Sequence, residues 1–457
     1  MNAETTWMVN YRLILSDPTD KYLFLLPNTN QLRLPSWQMP LSHFWQDVAH
    51  INAWVVAHLG LTTRVLRCIQ IDDDFTQHQM TLTYTLLAES IQPIATAAWM
   101  LIDQAINDQQ VDPSLALLLT KWQTQYKTPT LPLQEVPWYQ ANWGPAAFAW
   151  INRVLAQADI QALGEIQQHR TWNRSSIWQL ATTQGRIFFK ALPAMFAHEI
   201  RLIQYLQAHE LNHTPSVLAL EPQQAWMLLP DFAAPTLNQS TNLEQWQRSL
   251  EAYAQLQIRQ IPKREQLAAC GLAIRPLSWL IDQIEPLLND HQAMLLDQSW
   301  GLTSAELAQL QAAIPQLKAA CCSLQAFNLP DTLEHGDLGA SNIIIAAQRT
   351  IFTDWSDASI SQPFFSLGLL LEGIEQRFSS ILNVRETLIQ SYLNIWVEQF
   401  GLEYAQLRQA YQHAAILTPI HQALTYQHWI KPYLYAPWEM EAMIPAYLRQ
   451  LISLLEC

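Results

Sequence analysis

The chain has 457 residues, too many for one typical core, so two or three domains are expected. Only 14% of residues are charged, and 25 Lys and Arg against 39 Asp and Glu leave a formal charge of −14. That balance argues against a nucleic-acid partner and suits a cationic ligand drawn to an acidic cleft. No apolar run reaches the ~18 residues of a membrane span. The start, Met1 to Thr6, lacks the basic and apolar stretches of a signal peptide. Five cysteines (68, 270, 321, 322 and 457) show no metal spacing, and an odd count argues against a disulfide framework, so a cytoplasmic setting is expected.

In chain order, Arg12–Leu15 and Tyr22–Leu26 read as strands around an Asp17-Pro18-Thr19-Asp20 turn. Trp45, Val48, Ile51, Val55, Val56 and Leu59 recur at helical steps, and Gly60 closes the helix. Val65–Ile71 and the alternating Met80–Leu86 read as further strands, followed by helices over Trp99–Ile106 and Leu115–Tyr126. This order resembles a Nudix fold: Trp37-Gln38-Met39-Pro40 falls where that family has its Leu-Pro-Gly-Gly turn. The family's metal-binding helix would be Ala53–Leu61. Its Arg-Glu and Glu-Glu pairs are replaced here by Ala53-Trp54 and Ala57-His58. Without those carboxylates there is no Mg²⁺ site for diphosphate hydrolysis. Residues 1–127 are therefore expected to form a small α/β/α, Nudix-like domain that does not hydrolyse. A Pro- and Trp-rich linker and helix, 128–160, follows, the helix starting near Pro145.

Residues 161–236 read as a small β-rich lobe. Ser176–Thr182 and Arg186–Ala191 pair around Thr183-Gln184-Gly185, and Lys190 ends the second strand. Glu199 lies in a helix over Ala197–Ala208, with Glu210 as a substitute carboxylate beyond it. A turn at Arg170–Ser176, with Asn173 and Ser175, precedes the strands, and a connector runs from Leu229 to Phe232. Residues 237–457 read as a large helical lobe. Its helices are expected over Leu243–Arg259, Leu277–Leu288, Ala305–Ala326, Ser391–Phe400, Leu407–Leu417, Ile420–Trp429 and Ile444–Leu455. Cys321-Cys322 reads as two small core residues. His421, Tyr426, His428, Trp429, Trp438 and Glu439 are read as core or interface packing before an acceptor pocket.

The richest stretch is His335-Gly336-Asp337-Leu338-Gly339-Ala340-Ser341-Asn342, followed by Ile351-Phe352-Thr353-Asp354-Trp355. Ile343–Ile345 and Thr350–Thr353 read as a hairpin that brings Asn342 and Asp354 to one end. Asp337 can accept a hydroxyl proton, and Asn342 and Asp354 are hard oxygen ligands suited to Mg²⁺. Type, spacing and order resemble the aminoglycoside phosphotransferase and choline kinase group over about 300 residues. The resemblance implies a bilobal protein-kinase-like α+β fold that transfers the γ-phosphoryl group of Mg·ATP to a small-molecule hydroxyl. It implies Lys190 on the α- and β-phosphates, Glu199 paired with it, Ser175 near the phosphates, and Leu229 and Phe232 flanking adenine. His335 is read as a structural imidazole, and Gly339 stands where relatives have a second His. Ser366 replaces the second Asp of an Asp-Pro-x-x-Asp-Leu segment, which normally braces the catalytic loop. Two other readings remain: a nucleotide-binding pseudokinase acting as sensor or scaffold, and a Nudix-type diphosphate hydrolase, which the missing carboxylates disfavour. The acceptor itself is not legible.

Overall fold

The computed structural model describes residues 7–28, 31–89, 98–108, 110–126, 136–346, 349–434 and 437–456. The proline-rich stretch expected at 127–137 lies mostly outside them. The chain divides into two compact units, Met1–Ala194 with Gln224–Asp231, and Met195–Gln223 with Phe232–Cys457.

The first unit contains two sheets. Across the larger one the strands run Gln31–Arg33, Tyr22–Asn28, Met8–Ser16, Gln79–Ala88 and Thr63–Asp74. Met8–Ser16 pairs in parallel with Gln79–Ala88 and antiparallel with Ser36–Pro40. The expected Asp17 turn is held by the Asp17 carboxylate, which accepts from the Thr19, Lys21 and Tyr22 amides. Ile14, Leu23, Leu25 and Ile69 bury one face beneath the helices Ile102–Asn107 and Pro113–Tyr126. On the other face, Tyr11 stacks on Trp37 and Trp37 on Trp54, which belongs to the helix Ala49–Leu59. Gly60 ends that helix in the left-handed conformation, as its sequence position predicts.

Two expectations shift here. The helix starts at Ala49 rather than near Trp45, because the backbone before it is used elsewhere: the Thr171 amide donates to the Gln46 carbonyl and the Val48 amide to the His169 carbonyl, both at 3.0 Å. Trp99, expected in a helix, lies on the strand Ala98–Leu101, which pairs with Tyr22–Asn28 through Phe24↔Trp99. Burial of an apolar face against a sheet edge overrides a short helical pattern.

The second sheet runs Trp226–Pro230, Gly185–Ala191, Ser175–Thr182 and Gln167–Trp172, all antiparallel. The helix Trp143–Gln157 covers it, and Trp143, Trp178, Phe189 and Trp226 meet with ring centres 5.2–6.1 Å apart. Three of the chain's 19 tryptophans, Trp143, Trp178 and Trp226, thus belong to this packing layer. The first sheet joins the second through the edge strand Gln167–Trp172. Gln168 exchanges two hydrogen bonds with the Val65 backbone at 2.7 and 2.9 Å, and Arg170 pairs with Asp47 at 3.0 Å.

The second unit is mostly helical, led by Leu243–Gln260, Leu277–Leu287, Val384–Phe400, Tyr404–Thr425 and Met443–Leu455. The single helix expected over Ala305–Ala326 is two, Ser304–Ala312 and Ile314–Ala326, because Pro315 can open a helix but not continue one. Conversely, the two expected over Leu407–Trp429 form one helix to Thr425 that contains Pro419 and widens into a π-turn at Tyr426–Ile430. Cys321 is buried, but Cys322 is exposed, contrary to expectation. No helix is long and apolar enough to cross a membrane among the described residues.

Candidate active site

The site is built on a short buried strand, Thr332–Glu334, paired antiparallel with Ser359–Ser361, which pairs in parallel with Ala273–Arg275. The helix Leu243–Gln260 fixes this strand from one side: Gln257 Nε2 donates to the Leu333 carbonyl at 3.1 Å and to the Pro363 carbonyl at 3.0 Å. The chain then turns through Gly336. Its φ is +79°, and a Cβ there would lie 2.2 Å from the Asp357 carbonyl oxygen, so only glycine fits. Gln422 Nε2 donates to the Gly336 carbonyl at 2.8 Å and ties the loop to the helix Tyr404–Thr425.

His335 is fully buried. Its Nδ1 accepts from the Asp337 amide at 3.4 Å, and its Nε2 donates to the Thr353 carbonyl at 3.0 Å. Burial pushes the imidazole down, toward the neutral form that this pattern requires. With both ring nitrogens on backbone, His335 is a spacer that holds the Gly336–Asn342 loop against the segment carrying Asp354.

Asn342 Nδ2 donates to the Asp337 carbonyl at 2.9 Å and to its Oδ2 at 3.4 Å, which leaves Oδ1 as the oxygen available to a cation. The expected hairpin forms, with Ile343–Ala346 against Arg349–Phe352 in the register Ile343↔Phe352. The Thr353 amide donates to the Asn342 carbonyl at 2.9 Å. Asp354 follows at φ +64°, and Ser356 Oγ donates to its Oδ1 at 3.3 Å. A left-handed aspartate is uncommon and marks a place where surrounding structure dictates the backbone. Asp337, Asn342 and Asp354 thus cluster at one end of the hairpin. Two hard oxygen donors there fit Mg²⁺, which commonly takes one or two protein ligands and completes its shell with water and substrate phosphate. Among the described residues no group of three or more His, Cys, Asp or Glu could hold a metal unaided.

Sequence reasoning missed the carboxylate beneath this loop. Glu334 is completely buried. Its Oε1 accepts from the Gly336 amide at 2.8 Å and Ser366 Oγ at 3.1 Å, and its Oε2 from Ser359 Oγ at 3.0 Å. His421 Nε2 stands 3.5 Å from Oε2. Burial opposes the charge, but the His421 ring, the Arg275 guanidinium and the Gly336 amide outweigh it and hold the carboxyl at about 2. Ser366 Oγ also meets Tyr253 Oη at 2.7 Å, and both oxygens accept from the His335 amide. The position that resembling chains fill with Asp therefore holds a hydroxyl, and a carboxylate 32 residues earlier faces it. The available signal was a charged residue between Thr332-Leu333 and the motif, together with a missing charge at 366.

Lys190 lies half-buried in the first unit on the strand Gly185–Ala191, opposite Ile177 and Met227. Ser175 is buried in that sheet, and its Oγ accepts from Trp172 Nε1 at 3.1 Å. Asn173 is buried beside it and accepts from Tyr139 Oη at 3.2 Å. Leu229 pairs with Phe188 in the same unit, and Phe232 is in the second. Glu199 is buried in the first turn of the helix His198–His209, also in the second unit. The substitute, Glu210, is committed elsewhere, to Arg259 at 2.8 Å and Gln260 Nε2 at 2.8 Å. Of the aromatic candidates, His421 is buried and stacked on Phe365, Tyr426 is buried, and Trp429 lies under Arg275 at 4.1 Å.

In chemical terms this loop and hairpin carry the polar groups of a phosphotransferase site. The family described as the phosphotransferase enzyme family matches residues 160–435, more than half of the chain, and the chain belongs to it. No curated protein matches. Among solved structures, a choline/ethanolamine kinase family protein from Mesorhizobium loti is 17% identical, with 69% of this chain and 95% of that one covered at a TM-score of 0.44. A macrolide 2′-phosphotransferase from Brachybacterium faecium is 16% identical, with 67% and 98% covered at 0.44. A choline kinase from Streptococcus pneumoniae is 14% identical, with 68% and 99% covered, also at 0.44.

Proposed function

We propose that this protein transfers the γ-phosphoryl group of ATP to a hydroxyl of a small molecule, with Mg²⁺ as the required ion. The observation that carries this reading is the fastening of Asn342 to Asp337 at the base of the hairpin that also presents Asp354, inside the segment matched by the family. Asp337 orients the acceptor hydroxyl and takes its proton. Asn342 Oδ1 and the Asp354 carboxylate hold Mg²⁺, which when bound neutralises charge on the transferring phosphate. Lys190 is assigned to the α- and β-phosphates, Glu199 to hold that lysine, Ser175 to the turn near the phosphates, and Leu229 and Phe232 to the adenine contact. An acceptor carrying positive charge suits the net acidity.

Residues 1–127 are assigned to a Nudix-like domain without hydrolytic function. The helix Ala49–Leu59 supports this: where metal-binding carboxylates would stand, Trp54 stacks between Trp37 and His58 at 4.2 and 4.6 Å. The pseudokinase reading drew on the loss of Asp at 366, and the Glu334 carboxylate beneath the same loop weakens that reason.

The test is calorimetric titration of ATP with and without Mg²⁺, followed by ATP consumption with a panel of hydroxylated amines, sugars and macrolides. Mg²⁺-dependent binding that Asp354→Ala abolishes is expected. Asp337→Asn should keep ATP affinity and lower turnover by about 10²–10⁴-fold. Turnover surviving in Asp337→Asn would remove that residue from the chemistry, and a folded wild type that binds no ATP would defeat the reading.

A further inference from the structure

A second candidate site lies inside the first unit. A cavity of about 440 Å³ opens where the strand Thr63–Asp74, the helix Trp143–Gln157 and the start of the second sheet meet. That volume falls within the range of small-molecule sites. Arg64 lines it and is only 5% exposed.

Several arginines elsewhere in the chain have carboxylate partners, as in Arg259–Glu210, Arg408–Glu386 and Arg449–Glu306. Arg64 has Glu89 within electrostatic reach but makes no direct ion pair with it. Its Nη2 donates to the Ala141 carbonyl at 2.8 Å, and its Nη1 is buried with no hydrogen-bond partner. The guanidinium also lies against the first turn of the helix Trp143–Gln157. A Cβ on Gly144 would lie 2.7 Å from Arg64 Cζ, so the absence of a side chain there makes room for it. The start of a 15-residue helix carries partial positive charge. A buried cation placed there adds like to like, an arrangement that an incoming anion would relieve. The indole N–H of Trp178, also in the lining, is a second buried donor without an acceptor.

The opposite charge is in the same lining. The Glu89 amide donates to the Thr62 carbonyl at 2.9 Å, which sets Glu89 at the end of the paired strands that carry Arg64, and Glu165 lines the cavity from the second sheet's approach. We propose that this cavity binds a small zwitterion, its carboxylate or other oxyanion held by Arg64 and its ammonium group by Glu89 and Glu165. Burial pushes the Arg64 guanidinium down to about 10, still charged at neutral pH. Burial pushes Glu89 up, Arg64 offsets part of that, and Glu165 adds to it. None of Asp337, Asn342, Asp354, Lys190 and Ser175 lines this cavity, so the inference does not depend on their assignment.

The test uses the full chain. Thermal unfolding is followed by tryptophan fluorescence at constant ionic strength, with the common α-amino acids and the ω-amino acids of three to six carbons as probes. This panel varies the distance between the two charges. At least one member is expected to raise the melting temperature saturably, and the matching carboxylic acid without the amine should bind at least tenfold more weakly. Arg64→Met should remove the rise. Asn152→Glu, on the exposed side of the lining helix, adds an anion at the rim without touching the core and should weaken the rise by about tenfold. The proposal is overturned if no probe gives a saturable rise in the wild type, or if the rise survives both substitutions unchanged.

Discussion

Glu334 and Arg64 are both buried charges, and the fold treats them in opposite ways. Glu334 receives an amide and two hydroxyls within 3.1 Å, with a histidine at 3.5 Å, and its charge is stabilised inside the protein. Arg64 receives one carbonyl, keeps a buried N–H without an acceptor and sits at the positive end of a helix. A buried ion with a complete set of partners holds structure in place. One with an incomplete set is costly unless something else completes it. The first therefore reads as a brace for the catalytic loop and the second as one half of a binding site.

The comparison can be broken most sharply at Glu334. Glu334→Leu strands the Gly336 amide and the Ser359 hydroxyl and removes one of the two carboxylates that offset the buried Arg275, and should cost about 3–5 kcal/mol in urea unfolding, with turnover falling further than ATP affinity. Ser366→Asp in a Glu334→Ser background returns a carboxylate to the same hydroxyl cluster and should recover part of both losses. No recovery would mean that the loop needs the charge at 334 itself. Gly336→Ala meets both a left-handed backbone and the Asp357 carbonyl, and should cost about 1–3 kcal/mol with a matching loss of activity.

A pH series sharpens the same contrast. His335 and His421 are held below their ordinary value in the folded chain, so the unfolded chain binds more protons below about pH 6.5, and stability should begin to fall there as pH drops. Glu334, at about 2 when folded, contributes stability that is present above its unfolded value and is lost as pH falls from about 4.5 toward 2. Circular dichroism melts from pH 7 to 3 should show both limbs, and Glu334→Gln should flatten the lower one. The smallest effect belongs to Arg64→Met without ligand. Replacing an incompletely paired buried cation by an apolar side chain should leave the melting temperature unchanged or slightly higher. A fall of several degrees would make Arg64 an ordinary structural residue.

Much of this was legible in local chemistry. The motif with its hairpin, the Gly60 helix stop and the Lys190 strand depend on neighbours in sequence, and spacing alone predicts them. The losses came where distant residues decide. Trp99 joins a strand because Phe24 stands opposite it. Pro419 is accepted within a helix that packing holds continuous. Glu334 gave no periodic signal, since its partners at 359, 366 and 421 are brought together only by the fold. Arg64, just before the strand expected at Val65–Ile71, gave no sequence signal, since only the fold buries it.

The backbone of Gln46–Val48 lies along the edge strand Gln167–Trp172, with two main-chain hydrogen bonds and the Asp47–Arg170 pair. An uncovered sheet edge invites pairing with other chains. The amino-terminal region therefore serves as a guard rail for its neighbour, a duty that needs no catalytic residue of its own. A version cut back to the phosphotransferase segment would bare that strand and turn it into an adhesive. Removing the region would therefore cost the neighbouring sheet its cover, whatever else the region does.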